Sequence, residues 1–458
     1  MLGFLYLLFG VIIVLYTALR FKRKRIDTVF VINVATVMYY IVPALRRIMN
    51  HTGFVSIYYL TYKYDVTPTY SAFFCILLFY SVFFVVFHLR VHVQNKRQTS
   101  YFINNEIRKT KTISVFIMIF SSITFLFYCS LYGGVINVFK SVALIRDGLV
   151  VSSDSKYDFV QKLYGVAIFA PVLLSSYYKE RTVSRGLIIV SFIIAIAVLV
   201  SSGSRGGFLL FFLIFVISGI NTNKKDLVLL LRFIQLFVVF VFFVVMYRPL
   251  LTSLAVIRQR GIKEVFDAFW SSLQSGGRYS ISSVTSMFSS LLNSFDHYYV
   301  SLETSIIAVK RGDFVHNYIV EFGIALISLL PSLLLGIKKS YSLTYYNSRF
   351  ISGDYGIAQI PPGIIGSAYY SGGFVWIAVY SILVALFAIK LESLYKRTKD
   401  TIGFSHNYYS ALLFVFFSFS FSGDFSSELQ KNLTTIILIV ILRLKMRKKN
   451  ETMSYSTN

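Results

Sequence analysis

Five arginines are the side chains best suited to chemistry, and Arg205 sits where a guanidinium is costly unless it has a task. Arg205 lies within "VLVSSGSRGGFLLFF", flanked by Gly203 and Gly206 and by long apolar runs on both sides. A charge at membrane depth costs about 2.5–3.5 kcal/mol even on the lenient insertion scales. Glycine permits turn conformations and lets another group approach the backbone closely. A guanidinium beside exposed backbone N–H groups is suited to an anion such as a diphosphate. An arginine reaching lipid phosphate from the interface is the competing use. Arg248 follows the long apolar run that ends at Met246. Arg278 stands in "SGGRYS", where paired glycines again clear space. Arg258 and Arg260 lie two residues apart in an ordinary polar run, and a solvated surface accounts for them equally well.

These arginines must be positioned by a membrane protein. The chain has 458 residues, is 56% hydrophobic and only 14% charged; its mean hydropathy is +0.67. Many windows carry no charge over the 17–25 residues needed to cross about 30 Å of hydrocarbon. Their apolar residues run all round the helix, unlike the single stripe of a soluble helix. The expected fold is an all-α polytopic integral membrane protein with about 11 transmembrane helices (10–13). The spans are expected at 2–19, 28–45, 69–89, 112–132, 159–177, 186–202, 207–220, 227–246, 373–389, 404–421 and 432–442.

Charge sets the orientation. The first span lacks a basic segment before it and is followed at once by "RFKRKR", which places the N-terminus outside and argues against a cleavable signal. With alternating sides, the cytoplasmic segments hold 25 Lys and Arg against 7 Asp and Glu, and the outside segments 18 against 13. Basic residues gather on the cytoplasmic side, as the positive-inside rule requires. The net charge of +25 therefore records topology, and no soluble segment is long enough to form a nucleic-acid groove. Cys75 and Cys129 both fall inside spans, which argues against a disulfide framework.

The apolar segment 317–337 contains Glu321 and Pro331. If it crossed alone, "LYKRTK" and "RLKMRKK" would move outside, against the charge rule. It is read as a non-spanning or re-entrant helix, with an added pair of short spans as the alternative. The chain then divides into an N-terminal bundle, 1–246, and a large extracytoplasmic loop, 247–372, with amphipathic or re-entrant helices. C-terminal spans, 373–442, and a basic cytoplasmic tail, 443–458, follow. A loop of this length is uncommon unless it is functional.

The mid-chain "SGSRG" hairpin, one further span, a "YRP" start to the large loop and a later "IAQIPPGIIGSAYYSGGFVWI" together resemble the Wzy-type O-antigen and capsular repeat-unit polymerases. The resemblance covers the span order of nearly the whole chain, with its specific residues in 201–207, 247–249 and 358–376. It implies a glycosyltransferase of the bacterial plasma (inner) membrane, with a cytoplasmic C-terminus. Its substrate is an undecaprenyl-diphosphate-linked oligosaccharide, met among membrane lipid. The reducing end of the growing chain moves from its lipid carrier to the non-reducing end of an incoming repeat unit, on the outer face. A chain-length-determinant co-polymerase and a flippase are the implied partners, with no nucleic acid and no cofactor. Arg205 and Arg248 then meet the diphosphate, where charge develops as the glycosidic bond breaks, with Arg278, Arg258, Arg260, Gly203 and Gly206 contributing to binding.

The acceptor hydroxyl must lose a proton. His316 in "GDFVHNYIVEFG" is similar to an "HN" stretch of the related O-antigen ligases, and imidazole works near neutral pH. Asp313, Glu303, Glu264 and Asp296 are alternative bases, and helix capping is the competing use of His316 or Asp313. Ile360 to Gly373 reads as wall, with Pro361 and Pro362 stiffening an extended entry. Tyr369 is a candidate for stacking on sugar, or belongs to the interfacial tyrosine belt. The outside segments lack clustered carboxylates, so no metal is expected. An O-antigen ligase and a non-catalytic polysaccharide flippase or exporter remain the alternatives, although matching half-repeats of a transporter are not evident.

Overall fold

The computed structural model describes residues 1–22, 28–50, 68–91, 105–146, 160, 163–176, 183–201, 211, 267, 284–312, 323, 325–327, 343–352, 360–398 and 404–456. Among these the chain is helical and contains no strand. Five helical stretches are long and apolar enough to cross a membrane: Leu2–Arg20, Thr28–Met49, Tyr70–Leu89, Lys111–Ser130 and Gly363–Leu394. The architecture is all-α and of membrane type.

Four of these match the expected spans 2–19, 28–45, 69–89 and 112–132 within a few residues. The fifth begins ten residues before the expected 373, because Gly363 to Ser371 is already helical. It is not the extended entry that the prolines pointed to. Only Ile360, Pro361 and Pro362 lack helix there, and the helix begins at Gly363, whose φ is 69°. The regions 159–177, 186–202, 404–421 and 432–442 hold the shorter apolar helices Tyr164–Leu174, Arg185–Ser201, Ala411–Ser420 and Leu433–Leu444. Apart from residue 211, the expected spans 207–220 and 227–246 lie outside the described residues, and of the helix expected at 317–337 residues 323 and 325–327 are described and helical.

Two compact units are formed from discontinuous segments. The first contains Met1–Lys96, Val284–Ser393 and Phe416–Gln430. Its first helices are α1 (Leu2–Lys22), α2 (Thr28–Thr36), a π-helical turn (Val37–Ile41), α3 (Val42–Asn50) and α4 (Tyr70–Val91). Helix α1 turns Tyr6, Phe9 and Ile13 inward at the three- and four-residue spacing of one helix face. Tyr6 meets Phe73 edge-on at 5.0 Å, and Phe9 meets Tyr80 at 5.5 Å. Its opposite face leaves Phe4, Leu15 and Leu19 exposed by 59–65%, a surface suited to lipid rather than water. One buried polar chain inside this bundle is paired, which offsets the cost of a low-dielectric interior. Tyr80 donates to Asn33 Oδ1 at 2.8 Å, and Asn33 Nδ2 donates to Thr17 Oγ1 at 2.8 Å.

The second unit contains Arg97–Ser283, Leu394–Val415 and Lys431–Asn458. It includes α5 (Asn105–Ser130), α6 (Val135–Arg146), a 3₁₀ turn (Tyr164–Ile168), α7 (Phe169–Ser176) and α8 (Arg185–Ser201). Phe125, Tyr128, Val138, Tyr164 and Val198 form its core.

The remaining elements are α9 (Val284–Lys310), α10 (Leu343–Ser352), α11 (Gly363–Thr398), α12 (Phe404–Ser422), α13 (Phe425–Lys431) and α14 (Leu433–Ser456). The last continues into the basic tail expected at 443–458. Helix α11 breaks at Gly372 (φ 154°) and Gly373 (φ 69°). A Cβ at Gly372 would overlap the Trp376 indole, so glycine is required there for space as well as conformation.

Candidate functional site

Within the first unit, the described residues of 284–372 are fastened to the N-terminal helices at several points, and helix α9 provides most of them. Asp296, Tyr299 and Glu303 recur at spacings of three and four, which lines them along one face. That face meets residues near the ends of three membrane-length helices: Tyr6 near the start of α1, Arg46 in α3, and Thr69 just before α4.

Glu303 is 1% exposed. Its Oε1 accepts from the Thr69 backbone N–H at 2.8 Å and from the Tyr299 hydroxyl at 2.7 Å, and its Oε2 accepts from Thr69 Oγ1 at 2.9 Å. Because Tyr299 spends its proton on Glu303, the 3.2 Å contact between the Tyr6 and Tyr299 hydroxyls has Tyr6 as donor. Asp296 is likewise 1% exposed and accepts from Arg46 Nη2 at 3.1 Å. Burial pushes both carboxyls above their ordinary range. Opposing this, Arg46 and Arg47 pull Asp296 back, and the hydrogen bonds of Tyr299 and Thr69 together with Arg47 pull back Glu303. The net shift is upward in both cases.

A second polar junction joins α9 to α10 and to the entry of α11. Asn347 is fully buried; its Nδ2 donates to Ser301 Oγ at 3.0 Å and to the Ile360 carbonyl at 2.8 Å, and its Oδ1 accepts from Tyr370 at 3.1 Å. Ser348 Oγ accepts from the Ile360 N–H at 2.8 Å, and Asp424 Oδ2 accepts from the Thr344 N–H at 2.9 Å. Ser418 donates to Glu428. The "IPPGIIGSAYY" stretch is thereby a structural junction. Deeper in the same unit lies a small, largely apolar cavity of about 30 Å³, lined by Thr36, Tyr39, Phe79, Tyr298, Ile365 and Phe417 among others.

Of the residues proposed from sequence, Arg205, Arg248, Arg258, Arg260, Arg278, His316, Gly203 and Gly206 lie outside the described residues, as do Asp313 and Glu264. Tyr369, a candidate for stacking on sugar, is described. It is 6% exposed and packs edge-on against Phe374 at 5.6 Å, within the core of the first unit. Asp296 and Glu303, named above as alternative bases, are brought onto one helix face and into hydrogen bonds with protein partners. Arg46 and Arg47 were not singled out. Their signal was an adjacent basic pair directly after the apolar run 28–45. Among the described residues, no group of three or more His, Cys, Asp or Glu could hold a metal ion.

No family model, no curated protein and no solved structure matches the chain.

Proposed function

We propose that this chain is a membrane glycosyltransferase that joins undecaprenyl-diphosphate-linked oligosaccharide repeat units into O-antigen or capsular polysaccharide on the outer face of the bacterial plasma membrane. The observation that supports this reading is the fastening of α9. A segment assigned to the extracytoplasmic loop by charge is bonded to Thr69 and Arg46, which the same rule assigns to the outer ends of their spans. This reading takes the loop to stand at the membrane face where a lipid-linked substrate presents its diphosphate.

In this reading the acceptor hydroxyl oxygen attacks the anomeric carbon of the lipid-linked chain. The carbon–oxygen bond to the diphosphate breaks, and its electron pair leaves with undecaprenyl diphosphate. Arg205 and Arg248 counter the charge that develops on that leaving group, and His316 takes the proton from the hydroxyl. The N-terminus is outside and the C-terminus cytoplasmic. A flippase supplies the lipid-linked unit, and a co-polymerase sets the chain length.

The test is reconstitution of the purified protein in liposomes with lipid-linked repeat units. A ladder of products spaced by one repeat, formed without another protein, is expected. Unchanged lipid-linked units in the presence of acceptor would exclude polymerisation, and movement of units between leaflets without lengthening would identify a flippase. In cells, loss of the gene should leave single repeats attached to the surface acceptor, whereas loss of a ligase leaves none.

A further inference from the structure

We propose that Glu303 and Asp296 are positioning residues that dock helix α9 onto the membrane-length helices, and that neither takes the acceptor's proton. The role assigned to the docked helix rests on the glycosyltransferase reading; the docking does not.

Thr69 is the N-cap of α4, since its Oγ1 accepts from the Ala72 N–H at 3.1 Å. In a capping box, a Glu three residues after the cap reaches back to the cap's own N–H. Here that position is Ala72, which has no acceptor, and Glu303 supplies the carboxylate from 234 residues away. It takes both the Thr69 N–H and the Thr69 hydroxyl proton. A carboxylate at a helix N-terminus also meets the favourable end of the helix dipole. Glu303 therefore closes the start of α4 and fixes the register of α9 in a single set of bonds.

One helical turn and three residues earlier, Asp296 binds Arg46 and fixes a second point on the same face. Two anchors on one face set both the height and the rotation of α9. The helix ends at Lys310, six residues before His316. Docking thus determines where the chain carrying that histidine starts.

Hydrogen bonding and burial remove Glu303 from proton transfer, and burial removes Asp296. A general base must come within hydrogen-bond reach of the proton it abstracts. Glu303 already accepts three hydrogen bonds of the roughly four that a carboxylate offers, and each acid is 1% exposed.

The experiment compares Glu303→Gln with Glu303→Ala in the full-length protein, in a background carrying Ser305→Cys with Cys75 and Cys129 replaced by Ala. Ser305 is fully buried on α9. A membrane-impermeant maleimide reports whether α9 is docked, independently of turnover. Gln keeps an acceptor oxygen for Thr69, so residue 305 should stay protected in Glu303→Gln and become labelled in Glu303→Ala. Lengthening of lipid-linked repeat units should stay within about tenfold of the parent in Glu303→Gln, below the range for loss of a general base, because the helix stays docked. Loss of a general base costs on the order of 10²–10⁴-fold. A Gln variant that is protected yet as inactive as Ala would overturn the proposal by making Glu303 the base. Protection retained in Glu303→Ala would overturn it by showing that the carboxylate does not dock the helix. Absence of lengthening by the parent, with the labelling pattern as expected, would refute the glycosyltransferase reading and leave the docking standing.

Discussion

The Arg46–Asp296 pair should respond asymmetrically to loss of either partner. Asp296 is 1% exposed, whereas Arg46 is 24% exposed, and the second carboxylate oxygen of Asp296 is buried without a hydrogen-bond partner among the described residues. Removing Arg46 strands a buried anion. Breaking a buried pair in this way costs about 3–5 kcal/mol, and the nearby Arg47 compensates in part, so about 3 kcal/mol is expected. Arg46→Met is the suitable change, because it retains the apolar stem. Asp296→Asn leaves a partly exposed side chain facing a neutral acceptor oxygen, and should cost about 1 kcal/mol. For a unit of this size each kcal/mol lowers Tm by roughly 2–4 °C. The expected drops are therefore about 6–12 °C for Arg46→Met and about 2–4 °C for Asp296→Asn. The double variant should recover most of the larger loss, since no buried charge is then stranded. The assay is thermal exposure of Cys75, fully buried in the same unit, to a thiol-reactive fluorophore in detergent, with Cys129→Ala removing the other thiol. Equal losses in the two single variants, or a double variant whose loss is their sum, would refute the reasoning.

Gly423 has φ 67°, and a Cβ there would overlap the Gly363 carbonyl group and crowd Ser367 Oγ. Gly423→Ala should therefore cost about 2–4 kcal/mol through strain and overpacking combined, read as the same Cys75 exposure; a shift smaller than that of Asp296→Asn would contradict the close approach. Because burial raises the Glu303 and Asp296 carboxyls in the folded state, the fold holds protons that the unfolded chain releases. Stability should then fall as pH rises from the ordinary carboxylate range through the raised values, by up to about 1.4 kcal/mol per pH unit for each group. Glu303→Gln should flatten that slope in a Tm-against-pH series, and an unchanged slope would assign the titration elsewhere. Arg205→Lys and Arg205→Ala, and the same pair at Arg248, test the leaving-group reading through surface polysaccharide length. Lysine keeps the charge but loses the bidentate fork, so failure of Lys to rescue supports shaped diphosphate binding, and wild-type lengths in both Ala variants would remove these arginines from the mechanism.

Much of the architecture could be read along the chain. The stretches 2–19, 28–45, 69–89 and 112–132 became membrane-length helices because an unbroken apolar run has few other satisfactory conformations in lipid. The start of the fifth was misjudged. Pro361 and Pro362 pointed to an extended entry, but proline is tolerated before a first helical turn, and Gly363 begins the helix immediately after them. The packing of Tyr369 was not legible along the chain. A tyrosine between glycines near a membrane interface has the same local pattern whether its ring is free or packed, and only its neighbour Phe374 and the surrounding core distinguish the two.

Local chemistry therefore specified helices, their apolar length, and a shortlist of acids that included Asp296 and Glu303. Folding assigned those acids their work. Their partners Arg46 and Thr69 lie 250 and 234 residues away in the chain, and nothing within a helical turn of either acid announces them. Burial and hydrogen bonding depend on what packs over a side chain, a property that arises only when distant segments meet.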